Sequence, residues 1–214
     1  MEVDEINRNI IDMKVTKICT KAVIAVAISV VALTSCNKSG WSDAERQLIN
    51  EPAKTMRVLT VLDREDSLFL RTNCFQISSK ELKSPEYNTL AEKMIATVTS
   101  PQQDGVGIAG PQVGLSRRIV AVQRFDKEGA PFEVYPNIRI VSFSGDKKEG
   151  REGCLSIPGR SGNVARYQEI GITYTSVKTY SDTTEHIKGF TAVIFQHECD
   201  HLDGILYTDH INHD

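Results

Sequence analysis

Gln196-His197-Glu198-Cys199-Asp200-His201 is the stretch on which the reading of this 214-residue chain turns. His197 and His201 stand four residues apart, which on a helix places both imidazoles on one face, one turn from each other. Two such nitrogens can share one metal ion. Glu198, beside them, is placed to take a proton from water activated there. The preceding residues, 189–196, suit a buried helix. Phe190, Val193, Ile194, His197 and His201 follow the i, i+3, i+4, i+7, i+11 spacing of a single helical face. An apolar wall therefore runs into the candidate ligands, and the fold is expected to be built on this helix.

Two histidines do not complete a catalytic metal site, which needs a third protein ligand and an open position. The extended peptidase pattern H-E-x-x-H-x-x-G-x-x-H is followed as far as Gly204, after which Tyr207 stands where the third histidine would be. The third ligand must then come from upstream, or from His210 or His213. The chain has five cysteines. Cys19 and Cys36 fall in the leader described below. Cys74 reads as part of a surface connection. Cys199, two residues from His197, is turned off the ligand face. Cys154 lies after Glu152 and Gly153 and before a Pro158-Gly159 turn. A Cys/His/His set with an open position suits catalytic zinc or iron.

The net charge is −3, and without a basic excess nothing argues for nucleic acid. Residues 1–36 read as a leader. Lys14, Lys17 and Lys21 follow Met13, and residues 22–33 are an apolar run too short to span a membrane and suited to a signal segment. Leu33-Thr34-Ser35-Cys36 resembles the bacterial lipoprotein box. Met13 is therefore expected to be the start and Cys36 the lipid-bearing mature N-terminus, anchoring the protein to a membrane outside the cytoplasm; the alternative is a cytoplasmic chain. Residues 37–55 read as a tether, with a short helix at 43–49 and Trp41 either docked or exposed. The globular domain is expected at 56–214.

Within it, residues 58–62 and 69–72 read as extended. Ser84-Pro85-Glu86 opens a helix with Leu90, Met94, Ile95 and Val98 on its apolar stripe. Residues 118–125 read as a strand, 126–129 as a turn, 132–143 as one or two strands broken near Pro136, 147–152 as a charged loop, and 169–180 as a half-buried strand. No regular strand–helix alternation appears. The expected class is α+β, with antiparallel strands packed around the central helix carrying H-E-x-x-H. The run Gly105-Val106-Gly107-Ile108-Ala109-Gly110-Pro111-Gln112 contains a formal G-x-G-x-x-G. It follows a helix, and Pro111 comes at once, so a nucleotide site is not expected; small residues there let backbone approach a ligand closely.

Taken in order, Gly105 to Gln112, Glu152-Gly153-Cys154-Leu155-Ser156 and Gln196 to His201 resemble the three motifs of the peptide deformylases, G-x-G-x-A-A-x-Q, E-G-C-L-S and Q-H-E-x-D-H. The similarity covers roughly residues 56–211. It implies removal of the formyl group from the N-terminal methionine of new polypeptides, with release of formate. It implies Cys154, His197 and His201 as ligands of one divalent metal, usually Fe2+, with Zn2+, Ni2+ or Co2+ as substitutes. It implies Glu198 as general base and later acid, Gln112 and the Leu155 backbone N–H as holders of the formyl oxygen, and Gly107 as a residue shaping the cleft. Val106, Phe190, Val193 and Ile194 are expected to receive the methionine side chain. Partners are then a formyl-Met peptide or nascent polypeptide, and a membrane if the leader is used. Gly110 departs from the family's second Ala, Pro136-Asn137 from its Asn-Pro, and the tail to Asp214 leaves no room for the C-terminal helix of many members. Two readings compete with hydrolysis of formyl peptides: a membrane-anchored, non-hydrolytic formyl-peptide- or metal-binding protein of the same fold, and a zinc peptidase, disfavoured by Tyr207 and the upstream Cys.

Overall fold

The structure is a computed structural model and describes residues 40–211. The leader with Met13 and Cys36, and His213 in the tail, lie outside the described residues. Five helices are described: α1 (Asp43–Ile49), α2 (Arg64–Phe69), α3 (Ser79–Leu82), α4 (Pro85–Val98) and α5 (Gly189–Leu202). Six strands complete the list: β1 (Gly107–Ala109), β2 (Ile119–Gln123), β3 (Phe132–Pro136), β4 (Arg139–Cys154), β5 (Ile157–Thr175) and β6 (Asp182–Lys188). They form two antiparallel sheets, β1-β2-β3 and β4-β5-β6. The class is α+β, as expected.

The period-two alternation of β2 shows how the core is divided. Ile119 and Ala121 pack with Leu90, Met94 and Val98 of α4. Val120 and Val122 point the other way, into a second cluster with Ile194, Phe195 and Leu202 of α5, Tyr135 of β3, Ile170 and Ile172 of β5 and Ile187 of β6. Helix α5 thus sits against both sheets, with Phe190 at its start exposed and His201 near its end buried. Among the described residues no helix is long and apolar enough to cross a membrane.

Several sequence expectations are corrected. The stretch from Trp41 onward is not a free tether, because the folded unit already includes it. Ser42 and Glu45 form a capping box that starts α1. Trp41, 3% exposed, donates from Nε1 to Ser84 Oγ at 2.9 Å and lies under the Arg117 guanidinium, while Ile49 enters the α4 cluster. Three large apolar residues, Trp41, Leu48 and Ile49, in a polar stretch give too sparse a pattern to reveal this. Residues 58–62 form no strand. Instead Leu59 N donates to Gln112 O at 2.8 Å and Val61 N to Ser156 O at 2.9 Å, tying together two loops of the site. Residues 69–72 end α2, which Asp63 caps. Cys74 is buried, not superficial.

The charged run 147–152 is strand, not loop. It pairs with β5 from Lys147↔Tyr167 to Glu152↔Gly162, and it is charged because residues 147–151 face solvent. Pro158 and Gly159 lie within β5 at a register shift, not in a turn; Gly159 takes φ +72°, which glycine adopts without strain. Strand β6 was not foreseen; it pairs with β5 from Glu169↔Lys188 to Thr175↔Asp182 and delivers the chain into α5.

Candidate active site

The end of β4 and the face of α5 meet to form the site. In a strand, residues two apart share a face, and Glu152 and Cys154 both turn toward α5 while Gly153 turns away. On α5, His197 and His201 hold their ring centroids 5.1 Å apart. One ligand atom each from Cys154, His197 and His201 lies within 4.8 Å of the others. Cys154 Sγ is 3.2 Å from His201 Nε2. A tetrahedral ion with bonds of ~2.0–2.3 Å places neighbouring ligand atoms about 3.5 Å apart, so this spacing fits a metal. The structure brings together Cys154, of the upstream alternatives, with the two histidines. His210 instead meets Asp200, Nε2 to Oδ2 at 2.8 Å.

Sequence reasoning missed the bonds that two residues make around the candidate ligands. His197 Nδ1 donates to Glu152 Oε2 at 2.8 Å, which leaves Nε2 free to ligate a metal ion. Glu152 in turn accepts from Arg166 Nε at 2.8 Å and Nη2 at 3.1 Å, and Arg166 Nη1 donates to Asp200 Oδ2 at 2.6 Å. Burial alone would raise the Glu152 carboxyl, but hydrogen bonds from His197 and Arg166 outweigh it and hold it at about 2. Glu152 was visible as the first residue of the Glu152 to Ser156 motif, but with no role assigned to it. Arg166 gave none; it reaches the site through the β4–β5 register.

Glu198 is 4% exposed, and its Oε2 has no hydrogen-bond partner among the described residues. Burial pushes its carboxyl up to about 7, the range that suits a proton carrier near neutral pH. Glu198 and Ile194, one helical turn apart, form a ridge that lies over Gly107. A Cβ on Gly107 would stand 2.5 Å from Glu198 Oε1 and 2.9 Å from Ile194 Cγ2, so this approach requires glycine. Gln112 is oriented by its neighbour. Ala109 N donates to Gln112 Oε1 at 2.8 Å, which fixes the amide nitrogen on the site side, 3.5 Å from Cys154 Sγ and 3.2 Å from Ser156 Oγ. Leu155, in the turn between β4 and β5, lines the same cleft.

That cleft encloses about 660 Å³. Val106, Phe190, Val193 and Ile194 line it together with Gln112, Leu155, His197 and Glu198. Two departures from the family pattern also find a place. A Cβ on Gly110 would lie 2.5 Å from the Arg117 carbonyl oxygen, so the family alanine does not fit this backbone. Asn137 takes φ +58°, accepts from Ile77 N at 2.6 Å and donates to Ile77 O at 2.9 Å, acting as a side-chain splice between β3 and the segment before α3.

Residues 57–214 match the polypeptide deformylase family. The chain belongs to the peptide deformylase family. It is thus a metallohydrolase of the class that performs metal-dependent deformylation. A peptide deformylase of Symbiobacterium thermophilum is 46% identical over 116 residues, covering 53% of this chain and 51% of its own length, so the chain spans about half of that relative. One from Leptospira biflexa is 34% identical over 149 residues, 66% of this chain and 82% of its own. Among solved structures, the class I type b peptide deformylase of Acinetobacter baumannii with Met-Ala-Ser bound superposes with a TM-score of 0.64 at 34% identity, over 73% of this chain and 98% of that one. The deformylase motifs are the three stretches that converge on the cleft described above.

Proposed function

We propose that this chain hydrolyses the N-formyl group of formyl-methionine peptides at the Cys154–His197–His201 centre, with Glu198 as the proton carrier. The observation that carries the reading is the convergence of this donor set with a buried, unpartnered carboxylate and an oriented amide in one apolar-walled cleft. A bound divalent metal supplies Lewis acidity and makes water a competent nucleophile near neutral pH. Glu198 takes the proton from the water that attacks the formyl carbon and delivers it to the departing amine as the C–N bond breaks, giving formate and a free N-terminus. Gln112 Nε2 and the Leu155 N–H stabilise the formyl oxygen as its negative charge grows. Val106, Phe190, Val193 and Ile194 receive the methionine side chain; the peptide bound to the Acinetobacter structure, which begins with Met, supports this choice of substrate. The family resemblance favours Fe2+, and Zn2+, Ni2+ or Co2+ suit the same donors.

The test is hydrolysis of a formyl-Met-Ala peptide with metal content measured on the same sample. Release of formate with about one metal per chain supports the reading. Bound metal without turnover would leave a non-hydrolytic binding protein. Cleavage of internal peptide bonds would make it a peptidase. Within this mechanism Gln112→Ala is expected to lower kcat more than it raises KM, because the amide bond strengthens as the oxyanion forms. A change in KM alone would reduce Gln112 to substrate positioning.

We further propose that the protein is anchored to a membrane through Cys36, as a lipoprotein cleaved after Ser35. The support is the sequence: lysines after Met13, the apolar run 22–33, and the small residues before Cys36. Membrane fractionation followed by mass spectrometry of the N-terminus is expected to find a lipid-modified Cys36. A soluble chain retaining residues 13–35 would return the enzyme to the cytoplasm.

A further inference from the structure

Tyr207 opens the 3-10 turn Tyr207–His210 and is 2% exposed. Its ring faces the imidazole of His197 with centroids 6.2 Å apart and planes inclined by 19°, an offset stack. The same side chain belongs to a small apolar cluster with Ile157, Val164 and Leu206, against which Cys154 and Ile211 pack. One residue therefore touches the surroundings of two proposed metal ligands, Cys154 from β4 and His197 from α5. Its hydroxyl makes no hydrogen bond among the described residues, so the contact is made by the ring.

The turn that carries Tyr207 is tied down independently of the metal. Gly204, at φ +71°, lets the chain pass so close to Arg71 that a Cβ would stand 2.4 Å from the Arg71 carbonyl oxygen. Asp209 accepts from Leu206 N at 2.9 Å and pairs with Arg71. At the far side Ile211 fills the space beside Gly162, where a Cβ would approach Ile211 Cδ1 to 2.3 Å. With the turn held at both ends, the ring has little freedom, and it presents a fixed surface to His197. The imidazole is then constrained twice: in its plane by the bond from Nδ1 to Glu152, and across its face by Tyr207.

We propose that Tyr207 is a positioning residue for the metal centre: its ring holds the His197 imidazole in the ligating orientation and closes the apolar wall beside Cys154, so that it sets how long the metal stays bound. The inference rests on the ligand reading above, and metal binding by the wild-type protein tests that reading separately. Partners that orient a ligating histidine typically change metal affinity by about 10–100-fold. Tyr207→Leu is therefore expected to raise the dissociation rate of Co2+ at least tenfold in a chelator-competition assay, and to alter the visible absorption of the Co2+ form. Tyr207→Phe, which keeps the ring, is expected to match wild type in both. Ile211→Ala, which loosens the same cluster without touching His197, is expected to lower Tm and leave Co2+ release unchanged. Should Tyr207→Leu fail to fold, Tyr207→Met, with a flexible unbranched chain and no ring, carries the same expectation. Wild-type release from a folded ringless variant would overturn the proposal, as would equal losses in Tyr207→Phe or Ile211→Ala.

Discussion

Glu198→Ala is expected to cut turnover of a formyl-Met peptide by about 10²–10⁴-fold, the range for removing a proton-transfer group, while metal content stays at the wild-type level. The two halves of this expectation come from separate observations. Glu198 lies outside the group of Cys154, His197 and His201 whose ligand atoms converge, so its loss removes no donor. Its Oε2 has no partner among the described residues, so the carboxylate is not holding another side chain in place. A buried carboxyl without a partner is costly to a fold, and removing it is expected to leave Tm unchanged or raise it. Steady-state kinetics, metal analysis and a melting curve on one preparation check all three. Turnover at the wild-type rate would end the assignment of Glu198 as the proton carrier. Loss of metal together with activity would make Glu198 a ligand.

What the sequence disclosed and what it hid follow from how far each signal reaches along the chain. The i, i+4 histidines, the apolar face leading to them and the Ser84-Pro85 helix start are local patterns, and helices α4 and α5 stand where those patterns place them. The α+β class followed from the absence of regular alternation. Glu152 touches His197 across 45 positions of sequence and Arg166 reaches Asp200 across 34. Such contacts depend on the β4–β5 register, which includes shifts at Ile140/Ser142, Ser144/Lys147 and Gly153/Cys154; no local pattern fixes a register interrupted three times. The run 147–152 misled because charge is the usual mark of a loop, whereas a strand with two solvent-facing sides also carries it. The docking of Trp41, Leu48 and Ile49 was hidden for the opposite reason: a few anchoring residues suffice when Ser42, Glu45 and Arg117 supply polar bonds around them.

Cys154→Ser is expected to lower metal affinity by more than the roughly 10–100-fold that the loss of a ligand's supporting partner costs, because it alters a donor itself. The thiolate brings charge as well as a donor atom, and it is a soft base that favours zinc and iron over hard cations. A serine hydroxyl stays protonated near neutral pH and is a hard, poor donor. The surroundings are built around sulfur: His201 Nε2 lies 3.2 Å away and Gln112 Nε2 3.5 Å away, so the shorter C–O bond of serine would draw the donor back from both. The fold has little reason to respond, since Glu152, Arg166 and Asp200 keep their bonds to one another and Glu152 keeps His197. Competitive titration against a chelator, with Zn2+ and Co2+ in turn, separates the two contributions. Loss of charge weakens both ions alike, while loss of soft character penalises Zn2+ more and also removes the sulfur-to-metal charge-transfer band of the Co2+ form. Wild-type affinity in a folded Cys154→Ser protein would remove Cys154 from the ligand set and leave His197 and His201 in search of another third donor.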